Sequence, residues 1–191
     1  PTPESEMLRS LVGSEMCIRD SPSTLKSKLS NHQLNLFNNK IILTGGFNGD
    51  EGKATNQVWE GLVTFQPELC INWTPLPSML ESRYGHVSVV LEDTLYCLGG
   101  YDGEKYLESV ESFNYSTNKW QRCPDLYCTL EGAKGVFNPQ SGEFYIIGGN
   151  RDGEESSKVS LFTPSSGMVD IEGYMGHVWH EARSEHVAVL L

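Results

Sequence analysis

The chain has 191 residues, and its 25 acidic residues against 14 lysines and arginines give a formal net charge of −11 at pH 7. This charge argues against nucleic acid or an anionic membrane surface as a partner. It favours a protein or peptide that offers basic or polar groups, although solubility alone explains it equally well. The 19 glycines, 8 tyrosines and 7 phenylalanines, with little helical periodicity, favour an all-β fold in one domain.

Residues 1–24 show neither strand alternation nor an apolar run long enough for a signal peptide or a membrane span. We interpret them as a translated cloning adapter or, alternatively, as a native disordered tail. The folded domain is therefore expected over 25–191, and this part of the chain is still acidic.

The first repeat is predicted over about 31–78. An apolar strand ends at Gly45-Gly46, and the N-G-D-E run that follows has turn chemistry. Phe65 and Trp73 then stand at positions where the second repeat also carries aromatic residues.

The second repeat, predicted over about 85–127, shows the pattern most clearly. Two short apolar runs flank an acidic turn and predict a hairpin that ends at Gly99-Gly100. After a second acidic turn, a third run leads to a fourth strand that carries Trp120. These four segments predict a four-stranded antiparallel meander.

A third repeat is predicted over about 132–173, with Gly148-Gly149 after its second strand. The last ten residues of the chain, ARSEHVAVLL, align without a gap on SRYGHVSVVL at 82–91. We therefore predict the first strand of a fourth repeat at 186–191.

The double glycines recur about every 50 residues, which is a period expected of propeller blades. We align Phe65, Phe113 and Phe162 as the aromatic position that the three repeats share. Because glycine lacks Cβ, we expect each double glycine to leave room for an aromatic ring, that of Tyr106 or of a repeated tryptophan.

The residues that carry a family resemblance are a double glycine, Tyr106, the V-E-S-F run at 110–113 and Trp120, preceded by Met79, Arg83 and His86. From about residue 29 onward the chain resembles the Kelch family, whose repeats each form one blade of a β-propeller. The third repeat departs from the pattern at Leu130 and Met168. Since propellers have 4 to 8 blades, the resemblance implies a fragment of about three repeats that packs against the remaining blades of a parent propeller.

Five cysteines are present, and no C-x-x-C motif occurs among them. We predict free thiols and, with them, a reducing cytoplasmic compartment. A disulfide between Cys123 and Cys128 is the alternative.

Histidine recurs at the start of a strand, at His32, His86 and His186, and Ala133 fills that place in the remaining repeat. This repetition predicts a packing role. The alternative is a metal site that His177, His180 and His186 form with neighbouring acids. We predict that the chain uses no metal and no cofactor.

The main alternative to a binding protein is a copper-radical enzyme, because galactose oxidases also use Kelch-like blades. Such a site needs tyrosine and histidine ligands and a crosslinked cysteine, and no such set can be placed in this sequence. The chain also lacks a G-x-S-x-G elbow and a phosphate loop. We therefore predict a protein that is not an enzyme.

Loops on one rim of Kelch propellers bind partners, and the resemblance assigns two sets of residues to this rim. The residues after the double glycine are Phe47, Asn48, Tyr101, Asp102, Asn150 and Arg151. The residues at the entry to each blade are Tyr84, Gly85, Glu131, Gly132, Ser184 and Glu185. Tyr84 and Tyr101 are the best anchors, since exposed tyrosines give a large contact area.

The resemblance implies a non-catalytic protein-interaction module. Many Kelch proteins are substrate receptors of cullin ubiquitin ligases, a role that would also require BTB and BACK domains, and others bind actin. A fragment of a galactose-oxidase-like copper enzyme is the alternative. The fold alone does not choose among these partners.

One pair of charged residues occurs together in the second repeat. Where this repeat has Arg83 and Glu111, our alignment places Leu29 and Val63 in the first repeat and Leu130 and Ser160 in the third. We predict that Arg83 and Glu111 meet in a charge-assisted hydrogen bond.

Overall fold

A computed structural model describes residues 28–65 and 70–171, and the structural statements below concern these residues. Every regular element in these two ranges is a β-strand, which confirms the all-β prediction. The strands are β1 (Leu29–Ser30), β2 (Gln33–Phe37), β3 (Lys40–Thr44), β4 (Phe47–Asn48), β5 (Lys53–Ala54), β6 (Val58–Thr64), β7 (Cys70–Leu76), β8 (Val87–Leu91), β9 (Thr94–Leu98), β10 (Val110–Asn114), β11 (Lys119–Cys123), β12 (Lys134–Asn138), β13 (Glu143–Ile147), β14 (Asn150–Arg151), β15 (Glu154–Glu155), β16 (Val159–Thr163) and β17 (Gly167–Asp170).

Three four-stranded antiparallel sheets follow one another along the chain. The first has the strand order β2-β3-β6-β7, the second β8-β9-β10-β11 and the third β12-β13-β16-β17. Two small sheets, β1-β4-β5 and β14-β15, extend the first and third sheets beyond their double glycines. This arrangement confirms the predicted four-stranded blades, whereas the leader at 1–24 and the strand predicted at 186–191 lie outside the described residues.

The hydrophobic cores lie between neighbouring sheets. Between the first and second sheets, one cluster contains Ile42, Val58, Met79, Leu95, Cys97 and Phe113. Between the second and third, another includes Val87, Leu98, Val110, Phe144, Ile146 and Phe162. Strand β9 supplies both clusters because its alternate side chains point to opposite faces of the sheet. Neighbouring sheets therefore bury each other's apolar side chains.

The atoms nearest to the double glycines belong to backbone and strand-start residues, whereas we predicted an aromatic ring at this place. A Cβ on Gly45 or Gly99 would collide with the backbone oxygen of Arg83 or Leu130, each in the segment that enters the next sheet. Gly100 N donates to Leu130 O at 2.6 Å. Both glycines of the second pair also have positive φ, 64° and 100°, which side chains disfavour. The first two double glycines thus lock their sheets to the chain segment that follows.

The repeated tryptophans pack elsewhere. Trp73 lies over Gly61 of the neighbouring strand, and Trp120 packs against Phe113 with ring centroids 5.3 Å apart. The Trp120 Nε1–H donates to Pro77 O at 2.7 Å. The second tryptophan therefore ties the outer strand of its sheet to the segment that enters the sheet.

The strand pairing also corrects the predicted alignment of the first repeat. Gly61 pairs with Trp73 just as Phe113 pairs with Trp120, so Gly61 occupies the position that we had assigned to Phe65. The same register makes Trp59 the equivalent of Glu111. The β6–β7 hairpin extends further beyond this position than the β10–β11 hairpin does, and Phe65 lies in the extension.

The structure has free thiols at Cys70, Cys97, Cys123 and Cys128. The alternative Cys123–Cys128 disulfide is therefore wrong. Burial raises the pKa of the Cys97 thiol to about 12, so this group stays protonated and packs as an apolar side chain. In the described ranges no helix is long and apolar enough to cross a membrane.

Candidate functional site

Beyond the double glycine of each sheet, the first hairpin resumes its backbone pairing for one or two residues. The pairs are Ser30 with Phe47, Tyr84 with Tyr101 and Glu131 with Asn150. We call these six residues the rim ladder. Because the three pairs occupy the same register in successive repeats, they form one continuous edge across three sheets.

Backbone hydrogen bonds join neighbouring pairs of the rim ladder. Gly85 N donates to Asn31 O at 2.9 Å, and Gly132 N donates to Gly85 O at 2.8 Å. These three residues have φ values of 51° (Asn31), 61° (Gly85) and 66° (Gly132). This left-handed conformation is one that glycine and asparagine adopt at low cost. Their residue types therefore keep the rim ladder continuous from sheet to sheet.

Four aromatic rings form a stripe on this edge. Phe47 meets Tyr84 and Tyr84 meets Tyr101 with ring centroids 5.5 Å apart, and Tyr101 meets Tyr106 at 5.0 Å. All three contacts are edge-to-face, a favourable geometry for aromatic pairs. The first three rings are half-buried, and Tyr106 is 41% exposed. We call these four residues the aromatic stripe.

Tyr106 is the residue that our sequence interpretation placed incorrectly. We expected its ring beside the double glycine, but it packs on Tyr101 and pairs with it through an isolated bridge. Both tyrosines flank the same acidic turn in the sequence. A hairpin across that turn brings the two tyrosines together, so the sequence contained the information needed to predict their contact.

A carboxylate lies beside the aromatic stripe. A Cβ on Gly85 would come within 2.5 Å of Glu131 Oε1, so the Glu131 side chain lies across the glycine next to Tyr84. The pKa of Tyr84 is raised by burial and by its neighbours Tyr101 and Glu131. This edge of the molecule therefore combines apolar ring surface with negative charge.

Arg83 enters the second sheet just before the rim ladder and is fully buried. Its Nη2 lies 2.5 Å from Glu111 Oε1, and both side chains have no exposed surface. The predicted charge-assisted hydrogen bond is confirmed. Arg83 Nη1 also donates to Gly99 O at 2.6 Å and to Ser109 O at 3.1 Å. Glu111 accepts the backbone N–H of Leu80 at 2.6 Å, so the pair fixes the segment that carries Tyr84.

The second sheet and its entry segment, residues 82–127, match the model of the Kelch motif. The predicted resemblance to the Kelch-repeat family is confirmed. Kelch-like protein 35 of Mus musculus is 34% identical over 93 residues, 48% of this chain and 16% of that protein. Kelch repeat and BTB domain-containing protein 2 of cowpox virus (strain GRI-90 / Grishak) is 27% identical over 127 residues, 66% of this chain and 21% of that protein.

Among solved structures, YjhT is similar to this Kelch-repeat chain over 81% of its residues and over 55% of YjhT itself. The TM-score is 0.63 and the sequence identity is 15%. At this identity the likeness concerns the fold alone. The three successive meanders are those of part of a Kelch-type β-propeller.

Two residues of the predicted rim set build loops of their Kelch repeats. Asp102 Oδ1 accepts the backbone N–H of Glu104 at 2.7 Å and of Lys105 at 2.8 Å. The equivalent Asn48 is 4% exposed, and its Oδ1 accepts the N–H of Asp50 at 3.0 Å. Side-chain acceptors at this position shape the turn. The prediction that the Asn48 side chain is presented to a partner is therefore wrong.

Arg151, a third predicted rim residue, is 8% exposed and points into its own Kelch repeat. Its Nη1 donates to Ser160 Oγ and Asp170 Oδ1, both at 2.9 Å. Its Nε and Nη2 face Gly148 O and Lys158 O at 3.4 Å. Gly148 O and Lys158 O are the counterparts of Gly99 O and Ser109 O, which accept hydrogen bonds from Arg83 in the second repeat. The guanidinium thus reaches an equivalent position from a different place in the chain, and Arg151 is not a rim anchor.

His86 is fully buried at the start of a Kelch strand, and its Nε2 lies 2.9 Å from Thr44 Oγ1 of the preceding sheet. Burial holds the pKa of His86 well below 6.5. The predicted packing role is confirmed for this residue, and Ala133 is buried at the matching place. Within the described ranges no cluster of potential metal ligands occurs. His177, His180, Ser184, Glu185 and His186 lie outside those ranges.

Proposed function

We propose that this chain is the non-catalytic binding part of a Kelch-repeat protein, and that its rim ladder and aromatic stripe bind a protein or peptide. The observation that carries this proposal is the continuous stripe of four rings on one edge of the sheets. Tyrosine contributes large contact area at low entropic cost and is enriched in binding hot spots. Tyr84 and Tyr101 lie at the centre of the stripe and are its main anchors.

The finer role that we propose is substrate recognition in a cullin ubiquitin-ligase adaptor. Its support is the similarity to a relative whose name includes a BTB domain and the family resemblance of the repeats. The free thiols support a cytoplasmic location for such a protein. Mass spectrometry of proteins captured by the full-length protein tests this role, and capture without any cullin argues against it.

The rim proposal is tested on the full-length protein by pull-down of a partner, followed by titration of that partner against variants. Tyr84→Ala and Tyr101→Ala should each cost at least about 2 kcal/mol of binding free energy. Phe137→Ala is the control, because Phe137 is an exposed aromatic side chain that lies near the β12–β13 turn, away from the double glycines. Unchanged affinity in both tyrosine variants contradicts the proposal.

Asp102→Asn tests the contribution of negative charge to partner binding at the same edge of the molecule. Asparagine retains the acceptor that shapes the turn, so the loop should keep its conformation. Loss of the charge should mainly slow association with a basic partner and weaken its salt dependence. Copper bound in stoichiometric amount, together with alcohol oxidation, would instead assign the protein to the enzyme class.

A further inference from the structure

The chemistry of the rim ladder changes along its length. In the strand-entry position the residue is Ser30 in the first sheet, Tyr84 in the second and Glu131 in the third. The partner positions hold Phe47, Tyr101 and Asn150. An extended ligand that follows the rim ladder therefore meets apolar ring surface at the first two sheets and a carboxylate at the third.

The backbone of the second sheet allows the carboxylate of Glu131 to approach the rings. Gly85 has no side chain, and Glu131 Oε1 occupies the space that a Cβ would fill. The backbone of Glu131 is fixed by two hydrogen bonds with Asn150, at 2.9 and 2.7 Å. The carboxylate therefore projects from a defined position next to Tyr84.

Two further features of this end of the rim ladder favour a positively charged donor. Asn150 carries a buried side-chain oxygen that has no hydrogen-bond partner among the described residues, and an unpaired acceptor gains from an added donor. The negative charges of Glu131 and Asp102 also raise the pKa of Tyr84, after the larger effects of burial and Tyr101. A cation at this place would meet carboxylate charge and ring faces together.

We propose that Glu131, Tyr84 and Tyr101 form a subsite for one arginine side chain of the bound peptide. The inference rests on the proposed function of the rim. A guanidinium satisfies both halves of the subsite, because it stacks on aromatic faces and donates in a planar fork to a carboxylate. Lysine offers a point charge without the stacking surface. The apolar anchor of the peptide then lies toward Phe47.

The test begins with a random peptide library displayed on phage and selected against the full-length protein. Enriched peptides should carry arginine close to an apolar residue. For one such peptide, Glu131→Gln should weaken binding about tenfold or more, as expected for loss of a charged hydrogen bond. The same peptide with citrulline in place of arginine should bind wild type and Glu131→Gln equally. Glu92→Gln, an exposed acid in the β8–β9 turn, should change nothing.

The other outcomes distinguish this inference from the proposal on which it rests. Peptides without a basic residue that still lose binding in Tyr101→Ala overturn the arginine subsite and leave the rim as the binding surface. Equal binding of the citrulline and arginine peptides also overturns the subsite. Selected peptides that bind Tyr101→Ala and Glu131→Gln as tightly as wild type overturn both proposals. Thermal melts of each variant confirm that the fold is retained.

Discussion

The guanidinium of Arg83 is fully buried and has several hydrogen-bond partners. It binds the Glu111 carboxylate and two backbone oxygens, and Glu111 itself accepts two backbone N–H groups. Taking both charges out of water is costly, and these hydrogen bonds offset that cost. What the pair contributes is a fixed position for residues 80–83, directly before Tyr84.

Removing one member of this pair should be strongly destabilising. Arg83→Met or Glu111→Gln should each lower the free energy of unfolding by roughly 3–5 kcal/mol, because a buried charge would lose its partner. The double variant should lose clearly less than the sum of the two. Chemical denaturation of the four proteins measures this coupling.

A matched control is available on the same molecule. Lys40 and Glu60 form an ion pair of 2.9 Å in which Lys40 is 41% exposed, and such pairs contribute about 0–1 kcal/mol. Lys40→Met should therefore have a small effect. Additive losses for Arg83→Met and Glu111→Gln would contradict the coupling.

The role of a single residue could be predicted from the sequence where its side chain has one plausible structural role. Arg83 and Glu111 were paired because they occur together in the second repeat, whereas neither charge occurs at the aligned positions of the other two repeats. Asn48 and Asp102 were assigned to partner binding, yet an acceptor side chain after a turn also serves its own backbone. Sequence alone does not separate these two uses.

The third sheet achieves the same coordination by another route. The Arg83 position is Leu130 there, and Arg151 from the rim loop supplies the guanidinium, with Asp170 of β17 as its carboxylate. Asp170 also binds the hydroxyl of Ser160 at 2.6 Å. The guanidinium therefore occupies an equivalent place in the third sheet but comes from a different position in the repeat. Alignment of the repeats consequently did not predict the pair of Arg151 and Asp170.

Arg151→Met should therefore destabilise the third sheet. We expect a loss of roughly 1–3 kcal/mol in unfolding free energy, less than for Arg83 because Asp170 is 25% exposed. Lys158→Met is the control, since Lys158 also pairs with Asp170 but is 61% exposed and should contribute about 0–1 kcal/mol. Equal losses in the two variants would show that Arg151 has no special role.

The order and type of the strands followed from alternation and turn residues, but the register of the first sheet did not. We aligned the first repeat on Phe65 because the other two repeats have phenylalanine at that position. In the structure, Gly61 pairs with Trp73 and occupies the position instead. Hydrogen bonding sets register, and the loop between two strands can lengthen without changing it. The sequence pattern therefore did not identify Gly61, which pairs with Trp73, as the equivalent of Phe113.

Among the described residues, the face of the first sheet that carries Leu34 and Leu36 is not covered by another sheet. Leu34 and Leu36 on β2 are 56% and 69% exposed. Apolar side chains that alternate on one strand normally face a core, and β2 pairs only with β3 among the described strands. This face therefore exposes apolar surface on the first sheet.

Residues 25–191 expressed alone should therefore self-associate through this face. Leu34→Gln with Leu36→Gln should reduce that association, as measured by sedimentation velocity over a range of concentrations. Leu80→Gln is the control because Leu80, in a connecting segment, is as exposed as Leu34 at 56%. A wild-type fragment that stays monomeric at every concentration, with one cooperative melt, would contradict the prediction.

The lock between each of the first two double glycines and the segment entering the next sheet has a consequence for how such chains grow by duplication. Since Gly99 is covered by residue 130, a copy cut within 124–131 would separate a sheet from the segment that completes it. A cut in the exposed β8–β9 turn at 92–93 leaves both described locks whole, because Gly45 and Arg83 lie before it and Gly99 and Leu130 lie after it. Gene segments that end in this hairpin turn are therefore the ones that could be added or removed while the neighbouring blades still fold.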